Sequence, residues 1–308
     1  MEEGAARELE AISERLKERL CRHAPRAGDW QTAVDSMVLL RREADSSSEK
    51  TFERPLAAFV IQGSKLSCFG GREYFYRENQ CLVAGIDMPA SFRAMPATAD
   101  RPFLSVFFYL DPKLVSELCA EMAQKQVVCS ADCEGVKVAD TDPELLDTVL
   151  RLVGLLDRPE QIPVRAPMLL RELHCLLLMG PYGTALRQLN TQGTDSNQAL
   201  RAIDWLRGHF AETVRTEELA RMANMSASSL HRRFKQLTGL SPIQYQKQLR
   251  LYEAQRLMLL EGSNVSSAAF QVGYESVTQF SREYRTVFGE APSRDIARLK
   301  QAMQTAGA

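Results

Sequence analysis

The sequence predicts a mixed α+β chain in two parts: an N-terminal β-barrel with accessory helices, then an all-α C-terminal domain. Three observations carry that expectation. From Gln31 to Leu110 the chain runs in short apolar, β-branched or aromatic stretches (AVDSMVLL, LAAFVIQG, REYFYRE, QCLVAGI, FLSVFFYL), the pattern of strands separated by tight turns. After Leu110 the apolar spacing becomes helical. Beyond Asn197 the sequence repeats itself at an offset of fifty residues.

Taken in order, residues 1–30 form an N-terminal segment whose amphipathic helix, from about Ala5 to Arg22, is ended by Pro25 and Gly28. Residues 31–190 hold six or seven strands followed by helices. Gly70-Gly71, between KLSCF and REYFY, is a two-residue hairpin signal, because the favoured hairpin turns need positive φ. Asp111-Pro112 and Asp142-Pro143 each open a helix, an acceptor side chain at the N-cap preceding a proline that has no N–H to satisfy. A further helix, APMLLRELHCLLLMG, stops at Gly180-Pro181, with His174 on its apolar face, and ALRQLN follows. The small polar stretch 191–197, TQGTDSN, reads as a linker, leaving residues 198–300 as a second domain of seven helices.

The 308 residues suffice for two domains with their own cores. No apolar run approaches the ~20 residues that span a bilayer, and the charged N-terminus lacks a signal-peptide core, so a cytoplasmic protein without a membrane partner is expected. Seven cysteines, Cys21, Cys68, Cys81, Cys119, Cys129, Cys133 and Cys175, include no C-x-x-C pair, which points to reduced thiols rather than a metal site. The net charge of −1 conceals a division. From Ser196 onward there are 15 Lys and Arg against 10 Asp and Glu, whereas the rest holds 23 against 29. A basic module on an acidic body suits nucleic acid.

The repeat makes that suggestion specific. Ser226, Leu230, Arg232, Phe234, Lys235, Gly239 and Pro242 match Ser276, Phe280, Arg282, Tyr284, Arg285, Gly289 and Pro292 without a gap. Each copy reads as two short helices joined by a tight turn, with Thr216 expected to cap the first helix of the first copy. Asn224 and Gly273 are expected at the turns, where a left-handed backbone is needed. The second helix of each copy has an apolar side and a polar one. The polar faces carry Ser228, His231, Arg232 and Lys235, or Thr278, Ser281, Arg282 and Arg285, donors suited to base edges and phosphates of double-stranded DNA. A helix from Pro242 to Leu260 joins the copies. At ~1.5 Å per residue it is roughly 28 Å long, near the ~34 Å between successive major grooves on one face of DNA.

The segments LARMANMSASSLHRRFKQLTGLSPIQYQKQLRLYEAQRLM and AAFQVGYESVTQFSREYRTVFGEAP resemble the DNA-binding domain of the AraC/XylS family of bacterial regulators. The resemblance covers about Ala199 to Leu299. Upstream, LAAFVIQGSKLSCFGGREYFYRENQCLVAGIDMPASF and RPEQIPVRAPMLLRELHCLLLMGPYG are similar to the cupin-like N-terminal domain of an AraC-family branch. The resemblance implies base contacts from Ser228, His231 and Arg232, and from Val277, Thr278, Ser281 and Arg282. It also implies a ligand-responsive activator with RNA polymerase, a small-molecule inducer and a second copy of the chain as partners. Ser228 is shorter than the side chain relatives often place there, and Asn224 stands where glycine is usual.

Two other readings are weighed against it. One is a DNA-binding protein whose barrel only dimerises and senses no ligand. The other is a metal-dependent cupin enzyme, which needs clustered histidines and carboxylates. The histidines are His23, His174, His209 and His231, none in the strand region, so no metal, cofactor or catalytic residue is expected. Cys68 and Cys81 fall in or beside expected strands, where a lumenal thiolate would sense an electrophile or oxidant.

Overall fold

The described residues hold ten strands: β1 (Gly28–Gln31), β2 (Met37–Arg42), β3 (Glu49–Glu53), β4 (Leu56–Gln62), β5 (Ser64–Phe69), β6 (Arg72–Arg77), β7 (Gln80–Ala84), β8 (Met88–Met95), β9 (Phe103–Tyr109) and β10 (Val136–Asp140). They form a six-stranded sheet, in the order β1-β2-β9-β4-β7-β10, and a four-stranded sheet, β3-β8-β5-β6. The computed structural model describes residues 2–45, 48–95, 97–122 and 134–307. It divides into two units, one of residues 1–49 and 53–197, the other of residues 198–308 with Lys50–Phe52.

Nine strands lie among the described residues between 28 and 109, where the sequence suggests six or seven. The additional ones include β1 (GDWQ) and β3 (EKTFE), each at a sheet edge. An edge strand has few buried side chains and so leaves little apolar pattern. The same holds for β10, which pairs with β7 at the other edge of the larger sheet and falls in a region that reads as helical. Central strands behave oppositely. Every residue of β4 from Leu56 to Ile61 is buried, because both faces of the six-stranded sheet are covered. Ala57, Phe59 and Ile61, with Leu104, Val106 and Phe108 of β9, share one core cluster with apolar residues of the helices.

The hairpin between β5 and β6 pairs Phe69 with Arg72, leaving Gly70 and Gly71 as the turn, at φ 55° and 84°. Two consecutive positive φ values are what a type I′ turn requires, and glycine adopts them without a Cβ clash.

Helix α1 (Glu2–His23) is not a separate segment. Ile12, Leu16, Leu20 and Ala24, four residues apart, are buried in the common core. Helices α2 (Pro112–Met122) and α3 (Pro143–Gly154) begin where the Asp-Pro pairs stand. Asp111 Oδ1 accepts from Lys113 N at 2.9 Å, and Asp142 Oδ1 from Leu145 N at 2.8 Å. Helices α4 (Ile162–Met179) and α5 (Gly183–Asn190) complete the unit. His174 is buried on α4. Its Nε2 accepts from Asp111 N at 3.0 Å, so Nδ1 carries the proton and donates to Leu170 O at 2.7 Å.

Seven helices follow among the described residues: α6 (Asp195–Gly208), α7 (Thr216–Met222), α8 (Ala227–Thr238), α9 (Pro242–Leu260), α10 (Val265–Gln271), α11 (Val277–Phe288) and α12 (Pro292–Gly307). Helix α6 starts inside the stretch that reads as linker, with Thr194 Oγ1 accepting from Asn197 N at 3.1 Å. Small polar residues serve a helix start as readily as a linker, so composition alone does not separate the two. No helix among the described residues is long and apolar enough to cross a membrane.

Candidate nucleic-acid interface

The two copies of the repeat are nearly superposable in their local hydrogen bonds. In the first, Asn224 N donates to Arg221 O at 3.1 Å and Met225 N to Ala220 O at 2.9 Å. In the second, Gly273 N donates to Phe270 O at 3.0 Å and Tyr274 N to Ala269 O at 3.0 Å. Asn224 sits at φ 57° and Gly273 at φ 85°, both left-handed. The equivalence across these turns is therefore an offset of 49, not fifty. The second turn holds one extra residue, Glu275, before its cap, and only beyond it does the offset of fifty begin.

From the caps onward the copies run in register. Ser226 Oγ accepts from Ser229 N at 3.2 Å, and Ser276 Oγ from Gln279 N at 3.3 Å. Both α8 and α11 are twelve residues long and end at left-handed glycines, Gly239 (φ 75°) and Gly289 (φ 88°). The first helices differ at their starts. Asn264 caps α10 through Ser267 N at 2.9 Å. Thr216 does not cap α7; it is the first helical residue, and Arg215 at the N-cap makes no side-chain bond to the helix.

Leu230, Phe234 and Leu237 of α8, and Phe280 and Tyr284 of α11, are buried. Phe288, which the sequence groups with them, is only partly buried. On the outer faces Ser228, His231, Arg232 and Lys235 are exposed, as are Thr278, Arg282 and Arg285. Ser281 is half-buried, and Val277 packs partly against the local core, so its side chain divides between core and surface. Among the described residues the side chains of Arg232, Lys235, Arg282 and Arg285 make no ion pair or hydrogen bond. Elsewhere in the C-terminal unit Arg256 pairs with Glu253 and Glu261, and Arg298 with Asp295 and Glu290, whereas Arg201, Arg215, Arg221 and Arg294 likewise have no side-chain partner among the described residues. The outward cations of α8 and α11 are thus free for an external anion.

The joining helix α9 does more than set a distance. It opens with a capping box, Ser241 Oγ accepting from Gln244 N at 3.3 Å and Gln244 Oε1 from Ser241 N at 3.0 Å. From its middle, Arg250 reaches backbone carbonyls on two sides: Phe210 O at 2.7 Å and Glu212 O at 3.0 Å, and Gly273 O at 3.0 Å. Gln246 Nε2 donates to Phe210 O at 3.0 Å and Glu212 O at 2.7 Å. A Cβ on Gly273 would lie 2.1 Å from Ala211 O. Sequence reasoning missed this tie, because an arginine bonded to backbone carbonyls leaves no partner side chain to recognise. Burial lowers the Arg250 guanidinium below its ordinary value.

The second copy also has a polar interior. Asp295, 1% exposed, accepts from Tyr284 Oη at 2.8 Å, Gln255 Nε2 at 2.7 Å and Arg298. Tyr274 Oη donates to Glu283 at 2.8 Å, with Lys247 Nζ 3.3 Å from the same carboxylate. Burial opposes ionisation of Glu283, but hydrogen bonds from Tyr274, Gln279 and Lys247 hold it below the usual carboxylate range.

In the N-terminal unit, Cys81 is fully buried and Cys68 partly so, and burial pushes both thiols up. A reactive thiolate needs the opposite shift. Cys129 and Cys133 lie outside the described residues. The conspicuous buried ionisable group is Lys65 on β5, 7% exposed, its amine 3.9 Å from the centre of the Phe92 ring and pushed down by burial to about 8. Tyr76 and Ser67, hydroxyls 3.2 Å apart, are buried in the same sheet. No group of three or more His, Cys, Asp or Glu that would hold a metal occurs among the described residues.

Residues 33–185 match a family model for the AraC-type transcriptional regulator N-terminus, and residues 219–298 match a helix-turn-helix domain model. Curated relatives include the HTH-type transcriptional activator RhaS of Salmonella schwarzengrund, 32% identical over 52% of this chain and 56% of the relative. RhaS of Salmonella agona is 34% identical over the same shares. The chain thus spans about half the length of the curated relatives it matches. Among solved structures, ToxT of Vibrio cholerae bound to a methylnaphthalenyl butenoic acid aligns with TM-score 0.57 at 12% identity, over 84% of this chain and 97% of that one. ToxT with a bound unsaturated fatty acid aligns with TM-score 0.52 at 13% identity, over 84% and 94%. These likenesses establish the same fold.

Proposed function

The chain belongs to the AraC family of transcriptional regulators, and from that premise we propose that it is a ligand-responsive activator that reads DNA with both halves of its repeat. In this reading α8 and α11 enter successive major grooves on one face of the duplex. Arg232 and Arg282 meet guanine edges, with Ser228, His231, Val277, Thr278 and Ser281 beside them, and Lys235 and Arg285 meet phosphates. The observation that carries the proposal is the equivalence of Arg232 and Arg282. Both are exposed, unpaired, and at the same position of two twelve-residue helices with the same cap and the same terminating glycine. A hydroxyl-radical footprint on a selected site tests it. Two protected patches about one helical turn apart on one face are expected, and a single patch would refute it.

The activator role rests on RhaS, and RNA polymerase is the partner that role entails. A homodimer is part of the same proposal. On α4, Val164 and Met168 are exposed, as is Met179, with half-buried Cys175 on the same stripe, the i, i+4 spacing of a helix seam. The inducer is proposed to bind the N-terminal unit. The buried Lys65 amine beside an aromatic ring supports an organic acid, as do the acids bound by the ToxT structures. Thermal shift with a series of carboxylic acids, on the native chain and on Lys65→Met, tests this. Stabilisation by mass action that is lost in the variant is expected, and equal stabilisation of both would refute it.

A further inference from the structure

The N-terminal unit carries a polar cleft lined by residues of α1, α3 and α4. Arg15 and Arg19 from α1, Arg151 from α3, Arg158 and, on α4, Arg165 line an open cleft of about 260 Å³. Its acids are Asp147 and Asp157, and each is already engaged. Asp157 meets Arg19 at 2.5 Å, Arg22 at 3.2 Å and His23 at 2.9 Å. Asp147 meets Arg151 at 2.9 Å, and Arg151 also holds Glu172 through two nitrogens. Arg165 donates to the neutral Gln161 at 2.7 Å. The side chains of Arg15 and Arg158 have no hydrogen bond or ion pair among the described residues.

Five guanidiniums are therefore met by three carboxylates, Asp147, Asp157 and, through Arg151, Glu172, and the excess of two positive charges is gathered around this cleft. Packing does not require it, because α1 is already held by Ile12, Leu16 and Leu20 in the core. The Arg19 guanidinium passes close over Gly154, Nη1 lying 2.7 Å from where a Cβ on that glycine would stand.

We propose that this cleft binds the phosphate group of a small phosphorylated molecule. A guanidinium offers paired, coplanar N–H donors that match two phosphate oxygens at once. A dianion offsets an excess that a single carboxylate leaves half-balanced. The volume sits at the small end of ligand pockets, which favours a small molecule over a polymer. Bound there, the phosphate joins α1 to α3 and to the start of α4.

The test uses the full chain and inorganic phosphate, titrated against chloride at matched ionic strength and read by thermal shift and calorimetry. Saturable stabilisation by phosphate beyond chloride is expected. In Arg15→Ala/Arg158→Ala the binding should weaken by roughly tenfold or more, with the melting temperature without phosphate unchanged, since neither side chain has a partner to lose. Equal phosphate binding by the native chain and the double variant would overturn the proposal, as would no effect beyond chloride. Affinity of the double variant for duplex DNA should equal that of the native chain. A loss there would instead assign these arginines to the nucleic acid.

Discussion

The first copy of the repeat turns on Asn224, with one residue before its cap, and its second helix rests on an apolar interior in which Phe234 meets Tyr245 edge-on at 5.4 Å. The second turns on Gly273, takes the extra residue Glu275, and buries a carboxylate bonded to Tyr284 and Gln255. Yet both present the same twelve-residue helix with Arg232 or Arg282 outward. The outer face is held constant while the support beneath it is built differently. Side chains that meet a ligand are restricted by that ligand, whereas a core needs only complementary volume and satisfied polar groups.

That contrast gives four ways to break it. The largest effect is expected at the turns. Gly273→Ala places a Cβ 2.1 Å from Ala211 O at a positive φ, and should destabilise the second copy by ~2–4 kcal/mol. Asn224→Gly should change the first by no more than ~1 kcal/mol. Chemical denaturation measures both, and equal effects would mean that the turns are not differently constrained.

Next comes the buried carboxylate. Tyr284→Phe removes one of its donors and should cost ~1–2 kcal/mol, whereas Phe234 has no polar partner and no equivalent cost to reveal.

On DNA, Arg232→Ala and Arg282→Ala should each cost ~1–3 kcal/mol and relax specificity at one position, each in a different half-site. Equal weakening on specific and random duplexes would make them phosphate contacts.

The smallest effect is with pH. Glu283 is held below its ordinary range, so its contribution is complete above the unfolded value of about 4.5. It is lost as pH falls through the lower folded value. The first copy has Arg233 at that position and no such loss, so on acidification amide exchange should rise first in α10 and α11. Simultaneous opening of both copies would contradict it.

The sequence made the repeat legible where side-chain chemistry recurs: the caps Ser226 and Ser276, the glycines 239 and 289, the arginines between them. It concealed what depends on backbone. Glu275 is invisible because the ungapped offset of fifty fits α8 and α11 while the preceding helices share little beyond alanine. Arg250 is invisible because its partners are carbonyls. In the N-terminal unit the buried strands and the Gly70-Gly71 turn were readable. The edge strands β1, β3 and β10 were not, since a strand with one covered side carries half the pattern. Lys65 was passed over because a lysine in a strand ordinarily faces water.

In the proposed function one chain reads two adjacent major grooves, its two copies joined by a helix of fixed length that Arg250 ties at its middle. Insertion of about five base pairs, half a helical turn, between the half-sites of a selected duplex tests it most directly, with affinity read by fluorescence anisotropy. Affinity should fall to that of a single half-site, because α9 cannot rotate one copy to the opposite face. Undiminished binding to the lengthened site would contradict the account.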